Sequence, residues 1–276
     1  MTTIAFWDYG QAGTSEVAVP LAVITSLDYR IRILLTQTGT RRTGIGEAFK
    51  ENKSYPSNVL VASSNQQGID SLMRLSASGI LDRHNIADYT IPLVQDRLDM
   101  APGPEFGEAG LARYHEAQFN HLLGVANERY ELVLVDSPGS GTFNELTMKA
   151  GQVTVILLRQ NTRLLETYFE EAKYNPLITN KPHVLVINDY DADQHCSISN
   201  IRRRYGCKAP LIGIPYSREM ADAWNSREVI AFFRRNYDVN RRNVPVSKYM
   251  GAIRQLSQKV MELADIQQIP NSGRGA

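Results

Sequence analysis

Four runs in the second half of the chain, ELVLV at 131–135, VTVILL at 153–158, HVLVI at 183–187 and LIGI at 211–214, are almost unbroken apolar sequence. A strand with one wet face alternates apolar and polar residues, whereas a strand covered on both faces does not. The runs therefore demand a layer on each side. Between and around them, spaced apolar positions predict helices over 15–27, 68–75, 109–126, 142–150, 164–173 and 197–205. Three more are expected near 218–225, 228–234 and 247–264. Shorter apolar runs predict strands at 3–7, 30–35, 58–61 and 97–101. Such alternation predicts an α/β fold: a doubly wound, mainly parallel sheet with helices on both faces. One domain is expected over 1–265, with a loose tail over 266–276 and an ordered surface loop at PGPEFGEAG (102–110).

With 276 residues, 43% of them hydrophobic, the chain has enough apolar sequence for an ordinary core. A formal net charge of +1 gives no whole-molecule reason to bind nucleic acid. Two cysteines imply no disulfide framework and fit a reducing cytosol. The start, MTTIAFWDYGQ, has neither a basic nor a long apolar stretch, so no signal peptide is expected, and no apolar stretch approaches a membrane span. A cytoplasmic protein is the expectation, bound to a membrane only from outside or recruited to the membrane or cell pole by a partner.

The first strand–helix junction reads TIAFWDYGQAGTSEVAVPLAV. Ligands of doubly wound sheets sit at the carboxyl ends of strands. A helix amino terminus there offers main-chain amides and a positive dipole end to a phosphate. Gly10, Gln11, Ala12 and Gly13 are candidates to cradle phosphates, with the glycines allowing close backbone approach. Ser15 offers a hydroxyl to Mg, as the Ser/Thr of a phosphate loop does. The lysine that normally precedes that hydroxyl residue is replaced by Thr14, which brings no cation. Pro20 lies inside the helix and is expected to kink it. Taken alone, the loop equally fits a tight turn with no ligand.

A second segment, YELVLVDSPGSGT, places Asp136 at a strand end with Gly139 in a D-x-x-G arrangement. An aspartate there is a candidate catalytic and Mg-water ligand, and the glycine a candidate γ-phosphate contact.

Together these residues resemble the deviant phosphate-loop ATPases of the ParA/MinD family over most of the chain. In that family a strand ends in a K-G-G-x-G-K-[ST]-T loop, and IAFWDYGQAGTSE lies on it: Tyr9 stands for the signature lysine, Gln11 for a glycine and Thr14 for the loop lysine, while Ser15 keeps the hydroxyl. LVLVDSPGSG is similar to switch II. RIRILLTQTGT offers Thr36, Gln37 and Thr38 where switch I normally has an aspartate. HVLVINDYD maps Asn188 onto the adenine-contacting asparagine, and LIGIPYSREMADAWNSREVIAFF puts Pro215 and Tyr216 at the turn that closes the base pocket. The GQxGT[TS] loop style is similar to the TadZ/CpaE-type proteins of Tad pilus systems. The resemblance implies a homodimer that binds ATP or ADP with Mg and serves pilus or secretion machinery. The absent lysines point to weak binding and slow or absent hydrolysis.

Other constellations are open. Arg41 and Arg42 offer the missing charge of a working ATPase, against a solvated loop as the plainer reading. Arg202–Arg204 with Lys208, and Arg234, Arg235, Arg241 and Arg242, form basic clusters that suit a DNA-partition protein or, more simply, solvated faces. His195, Cys196 and Cys207 match no zinc spacing, His115 and His121 do not share a helix face, and Ser140 lacks the order of a nucleophile elbow. The 247–264 helix is amphipathic, and packing on the sheet is favoured over a membrane surface.

Overall fold

The computed structural model describes residues 1–50, 67–137, 141–238 and 245–266. Its strands are β1 (Thr2–Asp8), β2 (Ile33–Gln37), β3 (Ile91–Val94), β4 (Leu98–Ala101), β5 (Leu132–Ser137), β6 (Val153–Leu158), β7 (His183–Ile187) and β8 (Leu211–Gly213). Its helices are α1 (Ser15–Asp28), α2 (Ile69–Ala77), α3 (Glu108–Leu111), α4 (Glu116–Arg129), α5 (Thr142–Ala150), α6 (Thr162–Ala172), α7 (Pro176–Thr179), α8 (Ile198–Tyr205), α9 (Arg218–Asn225), α10 (Val229–Arg235) and α11 (Pro245–Leu263). The strands form one sheet in the order β3-β4-β2-β5-β1-β6-β7-β8, parallel throughout except for β3. The doubly wound architecture is as expected.

Alternation within the apolar strands feeds two layers. Leu132 and Leu134 of β5 join a cluster with α1, α10 and α11. Val133 and Val135 of the same strand pack with α2, α4 and α5. On that second face Ile156, Leu158, Leu185 and Ile187 meet Leu165 and Tyr168 of α6 and Ile201 of α8. Helix α1 is buried from Val17 to Ser26 and continues past Pro20 to Asp28. Tyr249, Ile253, Leu256 and Val260 of α11 are buried against the same layer, so this helix packs on the body of the protein.

The chain leaves β1 in one direction and returns to its other side at β6, so β1 lies between β5 and β6 at the switch point of the winding. That places any ligand site at the carboxyl end of β1.

Several expected elements differ. The second strand begins at Ile33 and runs on through Thr36 and Gln37, because those polar residues pair with Val135 and Asp136 of β5. The helix expected over 109–126 is two: α3 ends at Leu111, and α4 starts after His115, whose extended backbone and Gln118 side chain form its cap. β3 escapes a reading for apolar runs because it is four residues long and contains Pro92, which suits the edge strand it is. The 102–110 loop is only partly at the surface: Pro102, Gly103 and Pro104 are buried, Glu105 and Phe106 are exposed, and its end starts α3. The strand expected at 58–61 and nearly all of the tail lie outside the described residues.

Candidate functional site

The loop that follows β1 turns through left-handed backbone at Gly10 (φ +87°), Gln11 (+56°) and Gly13 (+83°). A side chain at Gly10 would strike Leu164 of α6, whose Cδ1 would lie 2.0 Å from the new Cβ. Residues from three strand ends hold the main chain. Asp8, the last residue of β1, accepts the Ala12 amide on Oδ1 at 2.6 Å. Asn188, just past β7, donates to the Ala12 carbonyl at 2.8 Å. Arg159, just past β6, donates from Nε to the Gln11 carbonyl at 2.9 Å and pairs with Asp189 at 3.2 Å. No side chain caps α1, so its amino terminus opens onto this loop.

At the base of the loop the Ser15 hydroxyl donates to Oδ2 of Asp136. Asp136 is fully buried. Burial pushes its carboxyl up to about 6, Asp8 adds to the rise, and the Ser15 and Thr14 hydroxyls offset part of it. Thr14 is itself buried; its hydroxyl acts on Asp136 from nearby but makes no hydrogen bond, and Asp136 Oδ1 also has no partner. A hydrated divalent cation satisfies an unpartnered carboxylate oxygen such as Asp136 Oδ1, and a phosphate accepts from a free hydroxyl such as that of Thr14. The donor set of Ser15 and Asp136 is therefore of a kind that fits Mg.

Beyond Asn188 lies a cavity of about 150 Å³, lined by Pro215, Tyr216, Met220, Trp224 and Tyr249. Glu16 and Asp189 stand at its edge. Burial and then Asp189 hold the Glu16 carboxyl above its usual range, with Arg159 and Asn188 acting the other way. The site is thus acidic. Asp8, Glu16, Asp136 and Asp189 surround the loop, while the cation set on it, Arg159, is already paired.

Asp8 and Arg159 were not read from the sequence. The signal was there: each stands at the carboxyl end of an apolar strand, where parallel sheets carry their sites. Tyr9 turns away from the loop toward α6, where its hydroxyl meets Glu171 at 2.6 Å and its ring packs on Trp7 and Tyr168. The Arg41 guanidinium is half-buried and bound to the Gly103 and Gln67 carbonyls, which corrects the solvated-loop reading; Arg42 is exposed. In the basic clusters Arg204 pairs with Glu166 and Arg235 lies 3.9 Å from Glu228. The cysteines are free, and no group of three metal-ligating side chains occurs among the described residues. Gly139, Ser140, Arg241 and Arg242 lie outside those residues.

No family model matches the sequence, and no curated protein sequence does either. Similarity appears in three dimensions. A ParA family ATPase from Chlorobium tepidum TLS superposes with a TM-score of 0.72, covering 93% of this chain and 98% of that one at 14% identity. The chain has the ParA/MinD fold. MinD of Pyrococcus horikoshii OT3, complexed with Mg-ADP, matches at TM-score 0.65 and 13% identity over 96% and 98% of the two chains. The ATP complex of a Cyanothece McdA variant matches at 0.63 and 12% identity over 98% of both. At these identities the likeness establishes the ParA/MinD fold alone. Among the described residues no helix is long and apolar enough to cross a membrane.

Proposed function

We propose that this chain is a degenerate ParA/MinD-like localisation or assembly factor, one domain over 1–265, that binds ATP or ADP with Mg weakly and hydrolyses ATP slowly or not at all. Gly10, Gln11, Ala12 and Gly13 cradle phosphate, with Gly139 as a further contact. Thr14 and Ser15 begin the helix beneath it. Ser15 and Asp136 hold Mg, which when bound supplies the positive charge that the loop lacks. Asn188 and Pro215 border the base pocket. Solved structures of this fold in complex with Mg-ADP and with ATP support a nucleotide as the ligand class.

The observation that carries weak binding is the bond from the Ala12 amide to Asp8. It sets a carboxylate on the loop where an incoming phosphate needs donors, and Thr14 brings no cation to offset it. A Tad-type pilus or secretion system is the proposed setting, with a cytoplasmic homodimer as the working form. An Aquifex aeolicus protein of this fold, in a MinC:MinD complex, supports action through a protein partner. Phosphate release by purified protein with Mg-ATP tests the catalytic part. Release close to the rate without protein is expected, and turnover at ordinary ATPase rates of about 1 per second or faster would refute it.

A further inference from the structure

We infer that Gln37 locks segment 38–45 closed against Ser15 whether or not a nucleotide is bound, so that this segment responds alike to nucleoside diphosphate and triphosphate. This deepens the nucleotide reading above and rests on it.

Gln37 ends β2 and is 1% exposed. Its amide nitrogen shares two hydrogens among three carbonyls: Gly39 at 3.2 Å, Thr40 at 2.5 Å and Thr43 at 2.9 Å. Its Oε1 accepts the Ile45 amide at 2.7 Å. The reversed amide would face three carbonyls with an oxygen, so the orientation is fixed by the contacts. One buried side chain thus collects four main-chain groups of the segment that follows it.

Other bonds fasten the same segment. The Thr38 amide donates to the Asp136 carbonyl at 2.9 Å, and the Arg41 amide to the Pro104 carbonyl at 2.8 Å. The Thr40 hydroxyl reaches the Glu105 carbonyl at 3.2 Å, and the Gly44 amide the Glu47 carboxylate at 3.1 Å. At Gly44 (φ +101°) an added Cβ would lie 2.5 Å from Gln37 Oε1 and 3.0 Å from Ser15 Oγ. The segment is therefore already against the hydroxyl at the start of α1.

Segment 38–45 reads TGTRRTGI and contains no acid to follow a metal. A ligand shifts a conformational equilibrium only by binding two states unequally. A segment held in one arrangement by its own buried amide offers the terminal phosphate no second state to select.

Hydrogen exchange of the full chain tests this, nucleotide-free, with Mg-ADP, and with Mg plus a non-hydrolysable ATP analogue, alongside calorimetric affinities. In the nucleotide-free protein the amides of Arg41 and Ile45 are expected to exchange at least about 100-fold more slowly than in unstructured chain, changing less than about twofold with either ligand. The affinities establish that each ligand is bound at the concentration used for exchange. Gln37→Leu and the isosteric Gln37→Glu should each speed exchange across 39–45 by about tenfold or more while β5 and β6 stay protected. Should a variant fail to fold, the wild-type arms decide. Segment 38–45 unprotected without ligand and protected only by the ATP analogue would overturn the lock. So would Gln37→Leu and Gln37→Glu that fold but leave exchange across 39–45 unchanged. Protection of 38–45 with no binding of either nucleotide would uphold the lock and remove the nucleotide reading instead.

Discussion

The Ala12 amide donates to the Asp8 carboxylate at 2.6 Å, so the phosphate-type loop carries an anion of its own. A phosphate arriving there meets a like charge as well as amides. Asp8→Asn keeps an oxygen acceptor for Ala12 and removes the charge. Affinity for Mg-ATP should rise by about tenfold, the effect of one partly screened like charge removed. Calorimetric titration of both proteins checks this, and unchanged or weaker binding by the variant would count against a repulsive Asp8.

Asp136 gives the stability a pH dependence of definite sign. Its carboxyl moves from an ordinary 3.8 to about 6 on folding. The native state therefore holds more protons than the unfolded state between those values, and stability falls as pH rises through that window. Asp136→Asn should flatten that part of the curve and raise stability at neutral pH by up to about 3 kcal/mol. Melting temperatures of the two proteins from pH 4 to pH 8 measure it. A wild type that gains stability relative to the variant across this range would contradict the raised carboxyl. On the proposed role of ionised Asp136 as a holder of Mg, Mg-dependent nucleotide binding should also fade below about pH 6.

Arg159 links β6 to the loop through the Gln11 carbonyl and to β7 through Asp189. Both side chains of that pair are more than a third exposed, which limits its contribution. Arg159→Ala should cost about 1 kcal/mol, read from the denaturation midpoint, chiefly through the lost bond to the loop. Arg159→Lys should recover less than half, because an ammonium cannot span both partners as the guanidinium fork does.

Two glycines should respond in opposite directions to alanine. At Gly103 a Cβ would sit 2.2 Å from the Gly39 carbonyl oxygen and 2.6 Å from Gln37 Cγ. The first is backbone and cannot swing aside, so Gly103→Ala should destabilise by about 2 kcal/mol or more. At Gly124, exposed in α4, a Cβ would meet nothing within 4 Å. Gly124→Ala should stabilise by about 0.5–1 kcal/mol through helix propensity alone. Chemical denaturation of both variants is the check.

The fold was legible because its central strands are covered on both faces, and ELVLV, VTVILL and HVLVI announce this directly. The loop was legible because Gly10 and Gly13 mark the left-handed turns between a strand and a helix. Less legible were groups whose role depends on distant neighbours. Gln37 reads as an ordinary polar residue past an apolar run, and only the return of Thr43 and Ile45 to its side chain makes it a hub. Arg159 lies 148 residues from the carbonyl it holds. The inward course of 102–104 was hidden too, since Pro-Gly-Pro usually marks the surface and here two neighbouring segments close over it.

Calorimetric titration of the full chain with Mg-ATP tests the central claim most directly, namely that an acidic loop without a lysine holds nucleotide feebly. The expected result is a Kd weaker than about 100 μM. A Kd of about 1 μM or tighter would contradict it.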